Sequence, residues 1–349
     1  MYTQNDIIDS AMRYKAIEKY PDRFKITEED AINLFRHSKY VSEHKFGEIS
    51  SFNFSKDAFY DDIWNGATVK ARGIFFNTKT NKIVARSYDK FFLLNQHECS
   101  TIDNFKFPLT CYEKYDGYLG ILGYDESTNE LVFCSKSMKA PEGEYAQWFK
   151  DEMLKRIKDI DMLKQAFKGS SAKSLIFEVI IPDKDEHLIK YDKTEIVLLD
   201  MVHNTIDFDL YEYKTACNFA NAHITDFKTK AEFPSFSDKH TFTCYLKSLK
   251  EQSGEGFVFV DADNHMFKLK TYEYEVAKLT RSQQEYYNNI VENNPNVHDI
   301  KCPTYEHIKD RYIEYFDTSV VEAVYNNIVI IVKEINKKLV DRHSNSVVQ

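Results

Sequence analysis

Three stretches of the chain each read as two strands joined by a polar turn, and together they commit its central part to antiparallel sheet. Val69–Phe76 and Lys82–Arg86 flank a turn at Asn77–Asn81, Leu119–Tyr124 and Leu131–Lys136 flank one at Asp125–Asn129, and Glu255–Val260 and His265–Lys270 flank one at Asp261–Asn264. In each, β-branched and aromatic residues run into residues that tolerate tight turns. Leu175–Ile181 and Ile196–Met201 are nearly continuous apolar runs, as expected of strands buried on both faces. Glu178 interrupts the first of them, and a carboxylate there is costly unless it edges a pocket or faces a cation.

Helices fill the rest. Ile7, Ile8, Ala11, Met12 and Ile17 recur at helical spacing over residues 5–20, and Thr27-Glu28-Glu29-Asp30 reads as a capping box opening a second helix through Leu34 and Phe35. Pro141 precedes an amphipathic pattern over Tyr145–Ile160, and two helix-like segments lie between about 205 and 250. From Tyr274 the pattern is helical, with Ile328–Val332 its one strand-like run. The expected class is α+β with antiparallel sheets, flanking helices and a small all-α C-terminal domain, divided as 1–275 and 276–349.

Composition narrows the function. The chain has 349 residues, 43% hydrophobic and 15% aromatic, enough for one large domain and a smaller one. A formal charge of -9 argues against a protein that coats nucleic acid indiscriminately, so any nucleic-acid surface is a local basic patch. The six cysteines form no C-x-x-C pair and read as reduced thiols. Met1–Lys15 has no apolar core of a leader, and Ile328–Val332 is too short to span a bilayer, so a soluble, cytoplasmic protein without membrane contact is expected. The sequence has no Gly-Lys dipeptide and hence no P-loop. Asp207-Phe208-Asp209-Leu210-Tyr211 lacks the threonine of a D-x-D-x-T phosphatase, and the eleven histidines form no H-x-x-x-H pair.

The residues that carry chemistry gather around Cys111–Gly120. Here Lys114 is followed, after one spacer, by Asp116 and Gly117, at the end of a strand entering a turn. A neutral lysine amine is a nucleophile, and desolvation and nearby cations favour that form. Gly117 allows the backbone to approach a ligand closely. A surface lysine before an ordinary Asp-Gly turn is the plainer alternative. Other charges bear on the choice. Lys268 and Lys270, two apart on a strand, share a face, while Phe267 and Leu269 share the other. Lys136 ends a strand, Lys90 sits inside an aromatic cluster at Tyr88–Leu94, and Glu178 and Glu255 are isolated acids on or beside strands. Cations and acids so arranged suit a polyphosphate and a ribose.

These segments, in this order from Arg72 to Tyr274, resemble the covalent nucleotidyltransferase superfamily, and within it the ATP-dependent RNA ligases of the T-even phage RNA ligase 1 type. Lys114-Tyr115-Asp116-Gly117 matches the motif whose lysine takes AMP. Ser135-Lys136 matches the next strand motif, with Ser137 where glycine often follows. Phe177-Glu178 matches the ribose-contacting motif, and Ile196–Asp200 the strand lining the adenine. Glu255-Gly256 matches the motif whose acid serves the metal, and Lys268-Leu269-Lys270 the one whose lysines hold the transferred phosphate. Arg72-Gly73-Ile74 and Lys90-Phe91-Phe92 resemble segments of the RNA ligase branch that hold ATP phosphates.

The resemblance implies a ligase-type nucleotidyltransferase domain that joins RNA 3′-hydroxyl and 5′-phosphate ends. Lys114 would be the nucleophile, and Glu113, Asp116, Gly117, Arg72, Lys90, Lys136, Glu178, Lys268 and Lys270 would contact the nucleotide. Glu255 would serve Mg2+ or Mn2+ arriving with ATP. It further implies RNA repair including that of tRNA, a monomer, and a separate kinase and phosphatase that prepare the ends. Two alternatives stay open: a GTP-using capping-type nucleotidyltransferase, and a ligase-like RNA-binding protein without catalysis. Against the first, capping enzymes and DNA ligases continue into an OB domain, whereas the residues after Lys270 read as helical.

Overall fold

The computed structural model describes residues 28–168, 172–294 and 296–346. The helix expected over residues 5–20, and Thr27 of the capping box, lie outside them. The elements in order are α1 Glu28–His37, β1 Val41–Phe46, β2 Ile49–Phe54, α2 Lys56–Tyr60, α3 Gly66–Lys70, β3 Ile74–Asn77, β4 Lys82–Arg86 and β5 Phe92–Leu93. They continue with β6 Leu109–Lys114, β7 Tyr118–Asp125, β8 Glu130–Cys134, α4 Glu144–Leu154, α5 Ile160–Lys168, β9 Lys173–Ile180 and β10 Glu195–His203. Then come α6 Tyr213–His223, β11 Lys228–Thr229, β12 Glu232–Phe236, α7 Lys239–Lys250, β13 Gly256–Val260, β14 Met266–Lys270, α8 Tyr272–Asn293, α9 Tyr305–Tyr312 and α10 Thr318–Ser346. The chain divides into two compact units, one running up to Phe242 and taking in Phe257–Leu269, the other made of Thr243–Gly256 and the residues from Lys270 on.

The first unit carries three sheets, ordered β1-β2-β3-β4, β11-β10-β9-β7-β8 and β12-β6-β13-β14-β5. Most of the pairs are antiparallel, including β7 with β8 and with β9. Two short edge strands pair in parallel, β11 with β10 and β5 with β14. The core of the second sheet lies under α4, α5 and α6, where Phe149, Leu163 and Ala216 cover Leu122, Phe177 and Leu198. Each such fully buried large apolar side chain contributes about 1.5–3 kcal/mol.

Two expectations are corrected in detail, and a third segment takes the helical form expected of its surroundings. Val69 and Lys70 are not strand but the end of α3, because Asn65 and Thr68 form a capping box: the Asn65 carboxamide accepts from the backbone of Ala67 and Thr68, and the Thr68 hydroxyl from that of Asn65. Gly73, at φ +61°, then turns the chain into β3, a conformation that a side chain would strain. The helix expected over Tyr145–Ile160 ends at Leu154, where buried Arg156 is captured by Glu152 and by the Asp226 carbonyl at 2.9 Å. Ile160 instead begins α5. The strand-like run Ile328–Val332 lies inside α10, since Val320, Val324, Ile328, Ile331, Ile335 and Leu339 form one helical stripe.

The second unit packs that stripe against α8 and α9 through Tyr287 and Ile308. Among the described residues no helix is long and apolar enough to cross a membrane.

Candidate active site

Lys114 is the last residue of β6, and Tyr118 opens β7 in a different sheet, so the turn between them carries the chain from one five-stranded sheet to the other. The lysine Nζ lies 3.5 Å from the Tyr115 carbonyl. The turn is held from three sides. The Asp116 carboxylate accepts the backbone N–H groups of Leu188 at 2.7 Å and Ile189 at 2.9 Å, and the Asp116 N–H donates to the Tyr191 hydroxyl at 2.9 Å. The Gly117 N–H donates to the Glu178 carboxylate at 3.1 Å. A Cβ at Gly117 would lie 2.5 Å from the Val179 carbonyl oxygen, so this turn sits on β9 as closely as a chain can.

Cations gather around Arg72, on which the charge of Glu178 acts. Arg72, between α3 and β3, donates to the Tyr88 carbonyl at 3.3 Å and lies 5.7 Å from the centre of the Phe91 ring. Lys268, on β14, lies 5.4 Å from the centre of the same ring. Lys90 is buried against Trp64 and Phe92, at 5.0 and 4.2 Å, with its ammonium 3.2 Å from the Phe91 carbonyl. Lys136 lies 4.7 Å over Phe54.

Their mutual influence is visible in their acidities. Burial, and after it the charges of Arg72 and Lys136, together lower the pKa of Lys90 to about 7. Desolvation and then Arg72 lower that of Lys136. Burial lowers that of Arg72, opposed by the charges of Tyr88, Glu178 and Asp89. Among the described residues, none of Arg72, Lys90 and Lys136 has a carboxylate within ion-pair distance. Cations that repel one another in a partly desolvated place, with no carboxylate at ion-pair distance among the described residues, make an anion site.

The remaining candidates divide. Glu113 is half-buried on β6, its N–H donating to the Ala231 carbonyl at 3.0 Å. Glu255 and Lys270 belong to the second unit, where they form an ion pair, and Lys270 also lies 4.1 Å over Tyr274. Glu255 is buried, and among the described residues no group of three acids, histidines or cysteines could hold a metal by itself. Glu255 can therefore offer a divalent cation one carboxylate, with the other ligands coming from phosphate oxygens and water. The expected alternation on β14 holds, with Phe267 and Leu269 buried and Lys268 and Lys270 half-exposed. Neither Tyr191, which fixes the lysine turn, nor the buried pair Asp200 and Lys230 has a local sequence signal, because their partners are far along the chain.

A model of the RNA ligase family matches residues 70–275, a span that contains every candidate residue named above. Among solved structures, an archaeal ATP-dependent RNA ligase in its form 2 is similar over 93% of this chain and 81% of its own, with a TM-score of 0.54 and 10% identity. Its form 1 covers 86% and 77%, with a TM-score of 0.53 and 12% identity. A putative ATP-dependent DNA ligase from Aquifex aeolicus covers 93% and 80%, with a TM-score of 0.52 and 14% identity. At these identities the likeness concerns the fold. No curated protein sequence matches this one significantly.

Proposed function

The chain belongs to the RNA ligase family, and we propose that this enzyme uses ATP to join RNA 3′-hydroxyl and 5′-phosphate ends through an AMP adduct on Lys114. The observation that carries the reading is the convergence of Arg72, Lys90 and Lys136, none with a carboxylate at ion-pair distance among the described residues, with Arg72 in the field of the same Glu178 that accepts the Gly117 N–H. Neutral Lys114 attacks the ATP α-phosphorus. The N–P bond forms, the P–O bond to pyrophosphate breaks, and the amine proton goes to solvent. An RNA 5′-phosphate oxygen then attacks the same phosphorus and releases the lysine. Finally an RNA 3′-hydroxyl attacks the activated 5′-phosphate, loses its proton, and releases AMP.

The chain's own groups have distinct tasks in this scheme. Arg72, Lys90 and Lys136 receive the β- and γ-phosphates and the departing pyrophosphate, Lys268 and Lys270 the α-phosphate, and Glu178 the ribose. Asp116, Gly117 and Glu113 keep the nucleotide-facing turn in place. Mg2+ or Mn2+ accompanying ATP neutralises phosphate charge, and Glu255 is the residue assigned to it. We assign adenylyl chemistry to residues 1–275 and choice of RNA, including broken tRNA, to the helices of 276–349. In a sealing assay that choice appears as a preference for a nicked stem-loop over a plain single strand, and equal rates on the two count against it.

Incubation with α-labelled ATP, GTP or NAD and a divalent metal tests the reading. Label on the protein from ATP, well above that from the other two, is expected. Equal labelling by GTP points to a capping-type enzyme, and no labelling to an inactive relative.

Lys90 supplies a second expected result. With its pKa lowered to about 7, the side chain is mostly neutral at pH 8, and a polyphosphate beside it restores the charge. Titration of ATP into the Lys114→Ala variant at pH 8, in buffers of different ionisation enthalpy, should show proton uptake that Lys90→Met removes. At pH 6, where Lys90 is already charged, the two variants should agree. The same uptake at pH 8 in both would remove Lys90 from the phosphate site.

A further inference from the structure

Asp200 and Lys230 form an ion pair at 2.8 Å whose side chains are only 5% and 7% exposed. A pair so buried adds little stability, since desolvation offsets most of the attraction and an apolar pair of similar volume does as well. Its surroundings are nonetheless closely built. The Lys230 ammonium lies 3.9 Å from the ring centre of Tyr112 and 4.3 Å from that of Tyr213. The second Asp200 oxygen accepts the Tyr88 hydroxyl at 2.6 Å, and burial together with the Asp200 charge raises the Tyr88 pKa, which keeps it a donor. The Lys230 N–H donates to the Tyr213 hydroxyl at 2.8 Å, and that hydroxyl donates to the Leu198 carbonyl at 2.9 Å.

What this pair holds is the residue after it. The Ala231 carbonyl accepts the Glu113 N–H at 3.0 Å, and the Ala231 N–H donates to the Tyr115 hydroxyl at 3.0 Å. Both chain neighbours of Lys114 are thereby tied to one residue, which is anchored in turn by the buried pair. The other arm of Asp200 ends on Tyr88, whose carbonyl receives Arg72 at 3.3 Å. One buried carboxylate therefore stands behind both the lysine and the arginine.

We propose that Asp200 and Lys230 are positioning residues, which fix the backbone on either side of Lys114 so that its amine meets the phosphorus in line. This rests on the reading of Lys114 as the nucleophile. Misplacement of about 1 Å is enough to cost on the order of 100-fold in rate without weakening substrate binding.

The test is single-turnover adduct formation with ATP in Lys230→Met, Asp200→Asn, the double variant and Lys230→Arg. The expected result for Lys230→Met is an adduct rate about 10- to 100-fold lower at an ATP half-saturation concentration within about twofold of wild type, with Lys230→Arg recovering much of the rate. The double variant, which buries no charge, should melt near the wild-type temperature and remain slow. Tyr115→Phe, which removes the bond from Ala231 and the hydroxyl's bond to the Glu113 side chain without touching the buried pair, serves where the charge variants do not fold, and should slow the adduct step at unchanged half-saturation. A folded double variant or Tyr115→Phe with the wild-type rate overturns the proposal, as does a rate loss matched by an equal loss of ATP affinity. If the wild type forms no adduct, the nucleophile assignment itself fails and this proposal with it. A wild type that labels normally beside variants that do the same isolates the failure to the positioning role.

Discussion

Lys114→Ala should form no detectable AMP adduct with ATP and a divalent metal, a loss on the order of 10⁴-fold or more in rate, and Lys114→Arg should be equally inert. Arginine keeps the charge but offers no neutral amine at accessible pH, so the pair of variants separates nucleophilicity from electrostatics. Neither should unfold the protein. Lys114 is half-buried at the end of β6, its ammonium 3.5 Å from the Tyr115 carbonyl, and substitutions at such places usually change stability by less than about 0.5 kcal/mol. Gel detection of labelled protein beside thermal melting measures both. An adduct of normal yield in Lys114→Ala would reassign the nucleophile.

Gly117→Ala should be the most damaging single-methyl change near the site. The added carbon would lie 2.5 Å from the Val179 carbonyl oxygen, 2.9 Å from Ile180 Cγ1 and 3.0 Å from Glu178 Cγ, and β9 is a central strand that cannot retreat. The turn must move instead. We expect overpacking to destabilise the protein by about 1–3 kcal/mol. Displacement of Lys114 and of the bond between Gly117 and Glu178 should slow adduct formation on the order of 100-fold. Denaturant melts and single-turnover labelling read the two effects separately. Wild-type labelling by this variant would show that the turn has room, and that the closeness to β9 has no part in placing the lysine.

How far the fold was legible depended on whether a segment's partners lie nearby in sequence. The hairpin of β7 and β8 follows from two apolar runs around a short polar turn, and the chain builds it with Asp125 of the expected turn paired to Glu130 and with β8 ending at Cys134, short of the expected Lys136. The hairpin of β1 and β2 went unread because β2, Ile49–Phe54, carries serine and asparagine where a buried strand is expected to be apolar. Those polar residues are buried because distant backbone satisfies them: the Ser51 hydroxyl donates to the Ser137 carbonyl at 2.6 Å, and Asn53 accepts the Gly73 N–H at 3.2 Å.

The same distinction runs through the site. Lys114, Lys136, Glu178, Lys268 and Lys270 are conspicuous as charges on or next to apolar strands, whatever surrounds them. The attachment of Asp116 to Leu188 and Ile189, and the joining of Lys230 to both neighbours of Lys114 through Ala231, arise only when the sheets are assembled. No local pattern carries them.

The most direct measurement is a chase. Wild-type protein is loaded with α-labelled ATP, freed of nucleotide, and mixed with a short 5′-phosphorylated RNA and an RNA acceptor bearing a 3′-hydroxyl. The label should leave the protein, appear on the RNA 5′ end, and emerge as free AMP in step with a ligated product one phosphodiester longer. Label that stays on the protein through the chase, or RNA sealed at the same rate by Lys114→Ala, would contradict the account.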